Sequence, residues 1–396
     1  MDLNTFEIGL LALLLFCFIS RLLFSWVVMA KPYYYMKSAT KNKSDAANSQ
    51  PPVSVIICLR SSTHDIYRFL PDILEQDYPE FEVIVVTDGI SDADEEALKR
   101  MMTNYPNLYS THVPDDTRNV SRKKLALTLG IKAAKYDKLL FTEPDCRIRT
   151  NDWIYLMARH FSDNKSIVLG LSVSDNSAGN SNNFSFRYME YDYFVSNLQM
   201  ISFALFKHPY AGNGRNMAYT KEHFKEQKGF VKHRTLQHGE DDLFINEIAN
   251  GENTVVELSP RSITFTEILD YHEWKHLKTD RISTERFYKR GPIAFRRLEM
   301  LLRILFYATV INCFISRLSY ESLFDLLLPG IALFCLLIYF LSLIIIIDKT
   351  CRHLQLGKFN MTVLLFDLFQ PFVNFYFYIY QTMKVKDNYT YHYEKR

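Results

Sequence analysis

The sequence predicts an α/β domain placed between hydrophobic segments at both ends of the chain. From Pro51 onward, short β-branched runs alternate with helical patterns, which is typical of a largely parallel sheet with helices on both faces. Both ends of the chain instead carry long runs of Leu, Ile, Val and Phe. We therefore expect an anchor at residues 1–30, a linker at 31–50, a central domain at 51–290 and a membrane region at 291–396.

The first hydrophobic segment runs almost without interruption from Ile8 to Ala30. At about 1.5 Å per helical residue it is long enough to cross the hydrocarbon core. The alternative is a cleaved signal peptide ending at Val28-Met29-Ala30, but no positively charged region precedes the apolar run. Lysines follow the segment and acids precede it, so the positive-inside rule predicts a cytosolic central domain. The lysines are Lys31, Lys37, Lys41 and Lys43.

Three further apolar stretches lie near the C-terminus, at Leu298 to Ile315, Leu323 to Ile347 and Thr362 to Met383. The second is the clearest span, whereas the other two either cross the bilayer or lie along its surface. Asp367 is costly inside lipid unless it faces protein or water, and we interpret it as a helix-packing or interfacial residue. The chain is therefore predicted to be a multi-pass membrane protein with two or three C-terminal helices.

Composition excludes several classes of function. The 46 Lys and Arg residues nearly balance the 44 Asp and Glu residues, whereas a nucleic-acid binder usually has a basic excess. The six cysteines form no C-x-x-C pair, and several lie inside apolar stretches. This pattern favours free thiols in a reducing compartment over a disulfide framework or a zinc site.

Within the central domain the elements follow in order. Strands are predicted at Pro51 to Cys58, at Phe81 to Gly89 and at Lys138 to Thr142, because each is a short apolar run bounded by turn residues. Helices are predicted at Ile66 to Gln76 and at Lys123 to Ala134. Consecutive strands joined by helices pair in parallel, so the carboxyl ends of these strands are expected at one edge of the sheet.

Ligands of such sheets bind beyond the carboxyl ends of the strands. Asp88 ends the second strand, and Glu143 and Asp145 follow the third. The sequence contains neither G-x-G-x-x-G nor a Walker loop, which argues against a dinucleotide fold and a P-loop enzyme. If phosphates bind here, we expect carboxylates to hold a divalent ion that neutralises them, and Mg²⁺ or Mn²⁺ prefers oxygen ligands.

Six segments then occur in a characteristic order over roughly Pro51 to Tyr288. They are Pro52-Val53-Ser54-Val55-Ile56-Ile57, Val85-Val86-Thr87-Asp88-Gly89, Lys123-Lys124-Leu125-Ala126-Leu127, Thr142-Glu143-Pro144-Asp145-Cys146, Gly212-Asn213-Gly214-Arg215-Asn216 and His238-Gly239-Glu240-Asp241-Asp242. This order and spacing resembles the family 2 glycosyltransferases, in particular their membrane-bound bacterial members. The resemblance implies a GT-A fold, which is a Rossmann-like α/β fold.

The resemblance also implies roles in binding a nucleotide-sugar. Asp88 would bind the base of the donor, Lys123 its diphosphate and Asp145 the metal ion, Mg²⁺ or Mn²⁺. Glu143 stands where the family has the first aspartate of D-x-D, and Arg281 would meet the departing diphosphate. The alternatives without a role in binding are a turn residue for Asp88, a solvated helix face for Lys123 and an interfacial arginine for Arg281.

The family places its catalytic acid at Glu240-Asp241-Asp242, and Asp241 is the predicted general base. A hydroxyl attacks well only when a positioned carboxylate takes its proton, and crowding of three acids raises the pKa of at least one. These acids also suit the N-terminus of a helix predicted at Leu243 to Ala249. Four residues are predicted to bind the acceptor: Gly212, Asn213, Gly214 and Asn216.

The predicted function is inverting transfer of a sugar from a nucleotide-sugar to a lipid-linked or glycan acceptor. The expected donor is a UDP-sugar. The predicted location is the cytosolic face of a bacterial inner membrane, with membrane lipid but no nucleic acid as partner. A processive polysaccharide synthase is one alternative, although the late Q-x-x-R-W motif survives only as the arginine of Lys278 to Ile282. A non-catalytic relative that binds nucleotide-sugar is the other, because of Glu143.

Overall fold

The computed structural model describes residues 5–41, 50–60, 66–114, 121–174, 183–233, 236–268, 270–315 and 326–391. The chain divides into two compact units. One is the central unit, Ser38–Tyr288, and the other combines Met1–Lys37 with Lys289–Arg396.

A seven-stranded mixed sheet forms the centre of the unit Ser38–Tyr288, in the order β3-β2-β1-β4-β8-β6-β9. The first four strands in this order are parallel, β8 is antiparallel to both β4 and β6, and β9 is parallel to β6. The strands are β1 Val53–Arg60, β2 Phe81–Asp88, β3 Leu108–His112, β4 Lys138–Phe141, β6 Ile167–Gly170, β8 Met217–Thr220 and β9 Thr254–Glu257.

A second, three-stranded sheet has the order β5-β10-β7, where β10 is antiparallel to β5 and parallel to β7. Its strands are β5 Cys146–Ile148, β7 Ser172–Ser174 and β10 Thr264–Thr266. The helices of this unit are α3 Ile66–Leu74, α4 Asp92–Asn104, α5 Arg122–Ala133, α6 Trp153–Ala158, α7 Phe184–Leu205, α8 Lys221–Glu226, α9 Asp242–Ile248 and α10 Tyr271–Glu285.

Close packing of α5 on the sheet fixes the position of the helix that carries the basic residues of the site. A Cβ added at Gly130 would lie 2.8 Å from Ile56 Cγ2 and 3.0 Å from Val86 Cγ2. Glycine therefore lets the helix backbone approach β1 and β2 more closely than any other residue would. The apolar runs that predict these strands are buried because helices cover the sheet.

The predicted parallel strands are confirmed for β1, β2 and β4. The antiparallel β8, which is inserted between β4 and β6, and the three-stranded sheet are not predicted. These strands have only three or four residues each, so their pairing depends on distant partners rather than on a local pattern.

Within the described residues, the other unit contains four helices that are long and apolar enough to cross a membrane. These candidate spans are Thr5–Ala39, Arg290–Ile315, Leu327–His353 and Thr362–Met383. The first comprises α1 Thr5–Leu23, a π-helical segment Phe24–Met29 and α2 Lys31–Lys41, and the others correspond to α11 Arg290–Ile315, α12 Leu327–His353 and α13 Thr362–Tyr391.

One predicted boundary differs from these bounds, and another lies outside the described residues. The linker expected at 31–50 is helical as far as Lys41, because the helix continues past the apolar run, and residues 42–49 lie outside the described residues. The predicted start of the clearest C-terminal span, Leu323, also lies outside them.

A buried cluster of paired charges joins the membrane helices. Arg303 Nη1 lies 3.1 Å from Asp367 Oδ1, and Arg21 pairs with Glu299. The hydroxyls of Tyr307 and Tyr339 each donate to Asp367 Oδ2 at 2.7 Å. Asp367 therefore faces protein, where partners offset its desolvation cost.

Candidate active site

The parallel strands bring the predicted acids to one edge of the sheet. In register, β1 pairs with β2 so that Arg60 lies beside Asp88, and with β4 so that Ile56 lies beside Phe141. The turn after β4 then carries Glu143 and Asp145.

Asp88 ends β2 in a buried position. Arg122 Nε donates to Asp88 Oδ1 at 2.6 Å, and the Oδ2 atom lies 3.7 Å from Arg60 Nε. This second oxygen is buried and receives no hydrogen bond from the described residues. Gly89 follows with φ 63°, a left-handed conformation in which glycine is favoured because it has no Cβ. Asp88 is thus a turn residue that also keeps a buried acceptor atom.

Lys123, at the start of α5, bridges two carboxylates that come from different parts of the chain. Its Nζ lies 2.8 Å from Glu143 Oε1 and 2.8 Å from Glu240 Oε1. Desolvation lowers the pKa of Lys123, but these two carboxylates outweigh it and hold the pKa well above its usual range. Burial by itself raises the pKa of Glu240. The neighbouring Lys123 ammonium outweighs burial, so the pKa of Glu240 is lowered overall.

Asp145 is buried and held by Arg215. Arg215 donates to Asp145 Oδ2 from Nη2 at 2.7 Å and from Nε at 3.2 Å. The Thr266 hydroxyl donates to the same oxygen at 2.6 Å. Arg215 Nη2 also lies 3.6 Å from Glu143 Oε2. One guanidinium therefore faces both acids of the E-x-D turn.

Gly214 lies at the point where the acids from separate segments meet. Its backbone N–H donates to Asp241 Oδ2 at 2.9 Å. A Cβ added at Gly214 would lie 3.4 Å from Asp241 Oδ2 and 3.4 Å from Glu143 Oε1. The acids after β4 and those before α9 therefore converge on one small region of the central unit.

The three consecutive acids have different surroundings. Asp241 is partly exposed and caps α9, accepting a hydrogen bond from the backbone N–H of Asp242 at 2.7 Å. Asp242 is buried and accepts hydrogen bonds from the hydroxyls of Thr284 and Tyr288. Burial, followed by the neighbouring Asp241 carboxylate, raises the pKa of Asp242 to about 7. The raised pKa expected for one of the acids thus belongs to the acid that is turned into the protein.

The four residues predicted to bind the acceptor do not share one environment. Asn216 is buried, accepts from Trp153 Nε1 at 3.1 Å, and donates to two backbone carbonyls at 2.8 Å. Asn213 is buried and donates to Tyr193 Oη at 3.0 Å and to Asn197 Oδ1 at 3.1 Å. The two asparagines therefore serve the loop's own fold, because all five of these partners of Asn216 and Asn213 lie inside the domain.

Gly212 is also a packing position. A Cβ there would lie 2.6 Å from Ile245 Cγ1. Of the four predicted acceptor residues, Gly214 is the one that directly borders the acids.

Arg281, on α10, contacts α7 rather than the E-x-D turn. Its Nη1 and Nη2 each donate to Asn197 Oδ1 at 3.3 Å. Desolvation lowers the pKa of Arg281, but Tyr288 and Asp241 are among the groups that raise it overall. Its charge is therefore felt at the predicted base, although its hydrogen bonds go elsewhere.

Three basic residues at the start of α5 have separate partners. Arg122 binds Asp88, and Lys123 faces the acids. Lys124 is buried and donates three hydrogen bonds of 2.7–2.8 Å, to the carbonyls of His233, Leu236 and His238. It fixes the loop that leads to the acidic triplet, a role that the sequence analysis does not assign.

Arg215 and Thr266 are also absent from the predicted site. Arg215 lies inside the glycine-rich motif. A basic residue between a glycine and an asparagine could have marked it as a site residue. Nothing in the sequence around Thr266 marks it, because its contact with Asp145 joins residues far apart in the chain.

The acids fit a divalent ion by their chemistry, since carboxylate oxygens are the ligands that Mg²⁺ and Mn²⁺ prefer. The hydrogen bond that the described residues give to Asp145 Oδ1 comes from the weak thiol donor of Cys146, at 3.5 Å. Glu240 Oε2 is buried without a hydrogen-bond partner in the described part of the chain. No cluster of three or more His, Cys, Asp or Glu side chains able to hold a metal ion occurs among the described residues. A divalent ion bound at these acids would take its remaining ligands from a bound phosphate or from water.

Residues 54–227 match the family model described as glycosyl transferase family 2. This segment contains both Asp88 and the E-x-D turn. The match covers most of the central unit and somewhat less than half of the chain. The mixed α/β sheet and this match confirm the GT-A fold that the resemblance implies.

Among characterised proteins, the chain is similar to the poly-β-1,6-N-acetyl-D-glucosamine synthase of Staphylococcus epidermidis. The two are 25% identical over 146 residues, which cover 36% of this chain and 34% of the synthase. The match therefore spans about a third of that relative's length.

Two solved structures are also similar to this chain. One is the mannosyltransferase PcManGT from Pyrobaculum calidifontis in complex with GDP-Man and Mn²⁺, with a TM-score of 0.45, 17% identity, and 94% of this chain and 96% of that chain covered. The other is S. aureus TarS 1-349 in complex with UDP-GlcNAc, with a TM-score of 0.42, 16% identity, and coverage of 85% and 92%.

Proposed function

We propose that this protein transfers a sugar from a nucleoside diphosphate sugar to a hydroxyl of a lipid-linked or glycan acceptor, with inversion of the anomeric configuration. The expected donor is a UDP-sugar. The convergence of Glu143 and Asp241 on Gly214 is the observation that carries the proposal. It places Glu143 on the donor side and Asp241 on the acceptor side, close enough to serve one bound donor and one bound acceptor. The match of residues 54–227 to the glycosyl transferase family 2 model supports sugar transfer as the reaction class.

Asp241 is the general base of the proposed reaction. Its carboxylate takes the proton from the acceptor hydroxyl while the hydroxyl oxygen attacks the anomeric carbon. The bond between that carbon and the donor's phosphate oxygen breaks, and the nucleoside diphosphate leaves with the electron pair. Partial exposure and a backbone N–H from Gly214 keep Asp241 oriented and accessible. Asp242, by contrast, is buried behind Thr284 and Tyr288.

The donor lies along the strand ends in this proposal. The buried Oδ2 of Asp88, which receives no hydrogen bond from the described residues, accepts an N–H of the base, which satisfies a costly buried acceptor. Lys123 is the cation that meets the diphosphate. Asp145 and Glu143 would hold Mg²⁺ or Mn²⁺, and the bound ion would stabilise the charge of the leaving diphosphate.

The proposed location is the inner membrane of a bacterium, with the catalytic domain in the cytosol. The four candidate spans support a membrane protein. The lysines after the first span, such as Lys31 and Lys37, support the cytosolic orientation by the positive-inside rule. Membrane anchoring keeps a lipid-linked acceptor at high local concentration.

The test is a screen of the purified full-length protein against a panel of nucleotide-sugars, with release of the free nucleoside diphosphate as the readout. UDP-N-acetylglucosamine belongs in the panel because of the synthase relative. Asp241→Asn should lower turnover by about 10²- to 10⁴-fold, the usual contribution of a general base. The matched control is Asp137→Asn, because Asp137 is an exposed acid at the opposite end of β4.

Turnover that Asp241→Asn leaves intact would refute the assignment of the base. No turnover with any donor would favour the non-catalytic alternative. The staphylococcal relative, named as a synthase of a polymer, also keeps a processive reaction as a second candidate. Product length on a gel separates the two, since a single-addition enzyme gives one discrete product.

A further inference from the structure

We propose that Arg215 is a built-in counter-cation of Asp145 that opposes binding of a free divalent ion and thereby couples metal binding to donor binding. This inference rests on the proposed function, because it concerns the same donor site. It assigns a role to a residue that acts through Asp145 and is therefore a positioning residue.

The geometry places Arg215 where it competes for the acid. Two of its nitrogens lie 2.7 Å and 3.2 Å from the same oxygen, Asp145 Oδ2. Its Nε also donates to Thr266 Oγ1 at 3.1 Å, and Thr266 in turn donates to Asp145 Oδ2 at 2.6 Å. The Oδ2 atom of Asp145 is therefore held from two sides, and a metal ion at Oδ1 would share the charge of this carboxylate with Arg215.

The charges favour the same conclusion. Arg215 and Asp145 are both buried, and an arginine side chain stays protonated. Glu143 and Asp145 already face the cations Lys123 and Arg215. A divalent ion alone would add positive charge beside Arg215, a buried and therefore poorly screened cation. A diphosphate that enters with the ion cancels this repulsion, so the two ligands bind with positive coupling.

A purely structural role makes the opposite prediction. If Arg215 only ties the 212–216 loop to the E-x-D turn, its removal loosens both segments and weakens every ligand, the metal ion included. If Arg215 competes with the metal, its removal frees an ordered carboxylate and strengthens binding of the ion. The sign of the change in metal affinity therefore separates the two roles.

The experiment measures Mn²⁺ binding to the purified full-length protein by the EPR signal of the free ion, without nucleotide and with UDP. We expect weak Mn²⁺ binding to the wild type alone and tighter binding with UDP. Arg215→Gln should bind Mn²⁺ without nucleotide about tenfold more tightly, since a like charge near the ion is removed. The enhancement by UDP should shrink accordingly. Sites that persist in Asp145→Asn are subtracted as unrelated.

Arg215→Lys is the matched control, because it keeps the positive charge. We expect its Mn²⁺ affinity without nucleotide to stay within about threefold of the wild type. Equal or weaker Mn²⁺ binding by Arg215→Gln, or an equal gain in both variants, would overturn the proposal. Failure of the proposed function is seen separately, as absence of nucleotide release by the wild type, because the Mn²⁺ measurement without nucleotide requires no turnover.

Discussion

Asp241 and Asp242 are chemically identical neighbours, yet the fold assigns them different surroundings. At the N-terminus of α9, Asp241 is partly exposed beside Gly214. Asp242 instead points towards Thr284, near the end of α10, and Tyr288, just after it. Sequence reasoning identifies the acidic triplet but not this division of roles, since the division depends on contacts with residues more than 40 positions away.

The buried Asp242 makes stability depend on pH. Its pKa is raised to about 7 by burial and by Asp241, whereas an unfolded aspartate has a pKa of about 3.9. Between these values the folded protein binds a proton that the unfolded chain releases. The stability from this group is therefore complete below about pH 4 and is lost as the pH rises towards 7.

Asp242→Asn removes this titration. The melting temperature of the variant relative to the wild type should rise by a few degrees between pH 5 and pH 8. Thermal unfolding of both purified proteins in matched buffers measures the difference. A difference that stays constant across this range would contradict the prediction.

The metal prediction also belongs to single residues. Chelation should abolish activity, and Asp145→Ala should lose about tenfold more activity than Glu143→Ala. The reason is that Asp145 is the buried acid with an oxygen bonded only weakly, to a thiol, while Glu143 is already bound by Lys123. Nucleotide release in EDTA, with and without added Mn²⁺, measures the effect. Full activity in excess chelator would end the metal-dependent proposal.

At the level of elements, the N-terminus of α5 organises the loop before the acidic triplet. Lys124 supplies three hydrogen bonds to that loop, and the hydroxyl of Ser121 donates to the carbonyl of Gln237 at 2.8 Å. A protonated lysine has three N–H donors, so each one is used. Desolvation lowers the pKa of Lys124 to about 8, which brings its titration close to physiological pH.

Lys124→Met should therefore lower kcat by about tenfold or more while the KM for the donor changes little. The wild-type kcat should also fall above about pH 8, as Lys124 loses a donor, and this fall should be absent from the variant. Lys132→Met is the control, since Lys132 is an exposed lysine of the same helix. An unchanged kcat in Lys124→Met would show that the loop needs no such support.

Elements also show how far local pattern determines the fold. The β-branched runs of β1, β2 and β4 are recognisable because they are apolar and bounded by turn residues, and the acids after them follow from strand direction. The inserted strand β8 and the pairing of Arg215 with Asp145 are not recognisable, because both depend on which distant segments meet. Asn216 illustrates the same limit, since its motif predicts a binding role while the loop turns its amide inward.

For the whole molecule, the unit that contains the four candidate spans raises the question of how charges are accommodated among apolar helices. Arg21, Glu299, Arg303 and Asp367 are two cations and two acids that pair with one another. Breaking a buried pair by removing one partner costs about 3–5 kcal/mol, whereas replacing the pair by apolar residues is often neutral.

Arg303→Leu should therefore reduce the yield of folded protein in detergent sharply, because it leaves Asp367 without its closer cation. The double variant Arg303→Leu with Asp367→Leu should recover much of that yield, since Arg21 and Glu299 remain as a balanced pair. Size-exclusion profiles of the single and double variants measure this. A double variant as poor as the single one would argue against simple charge pairing.

The central claim is that the acids at the ends of separate strands serve one donor pocket. Calorimetric binding of the active nucleotide-sugar, with turnover measured on the same preparations, tests this directly. We expect Asp88→Ala and Asp145→Ala each to weaken donor binding, whereas Asp241→Asn should bind the donor normally and fail to turn it over. Normal donor binding by both Asp88→Ala and Asp145→Ala, with turnover intact, would contradict it.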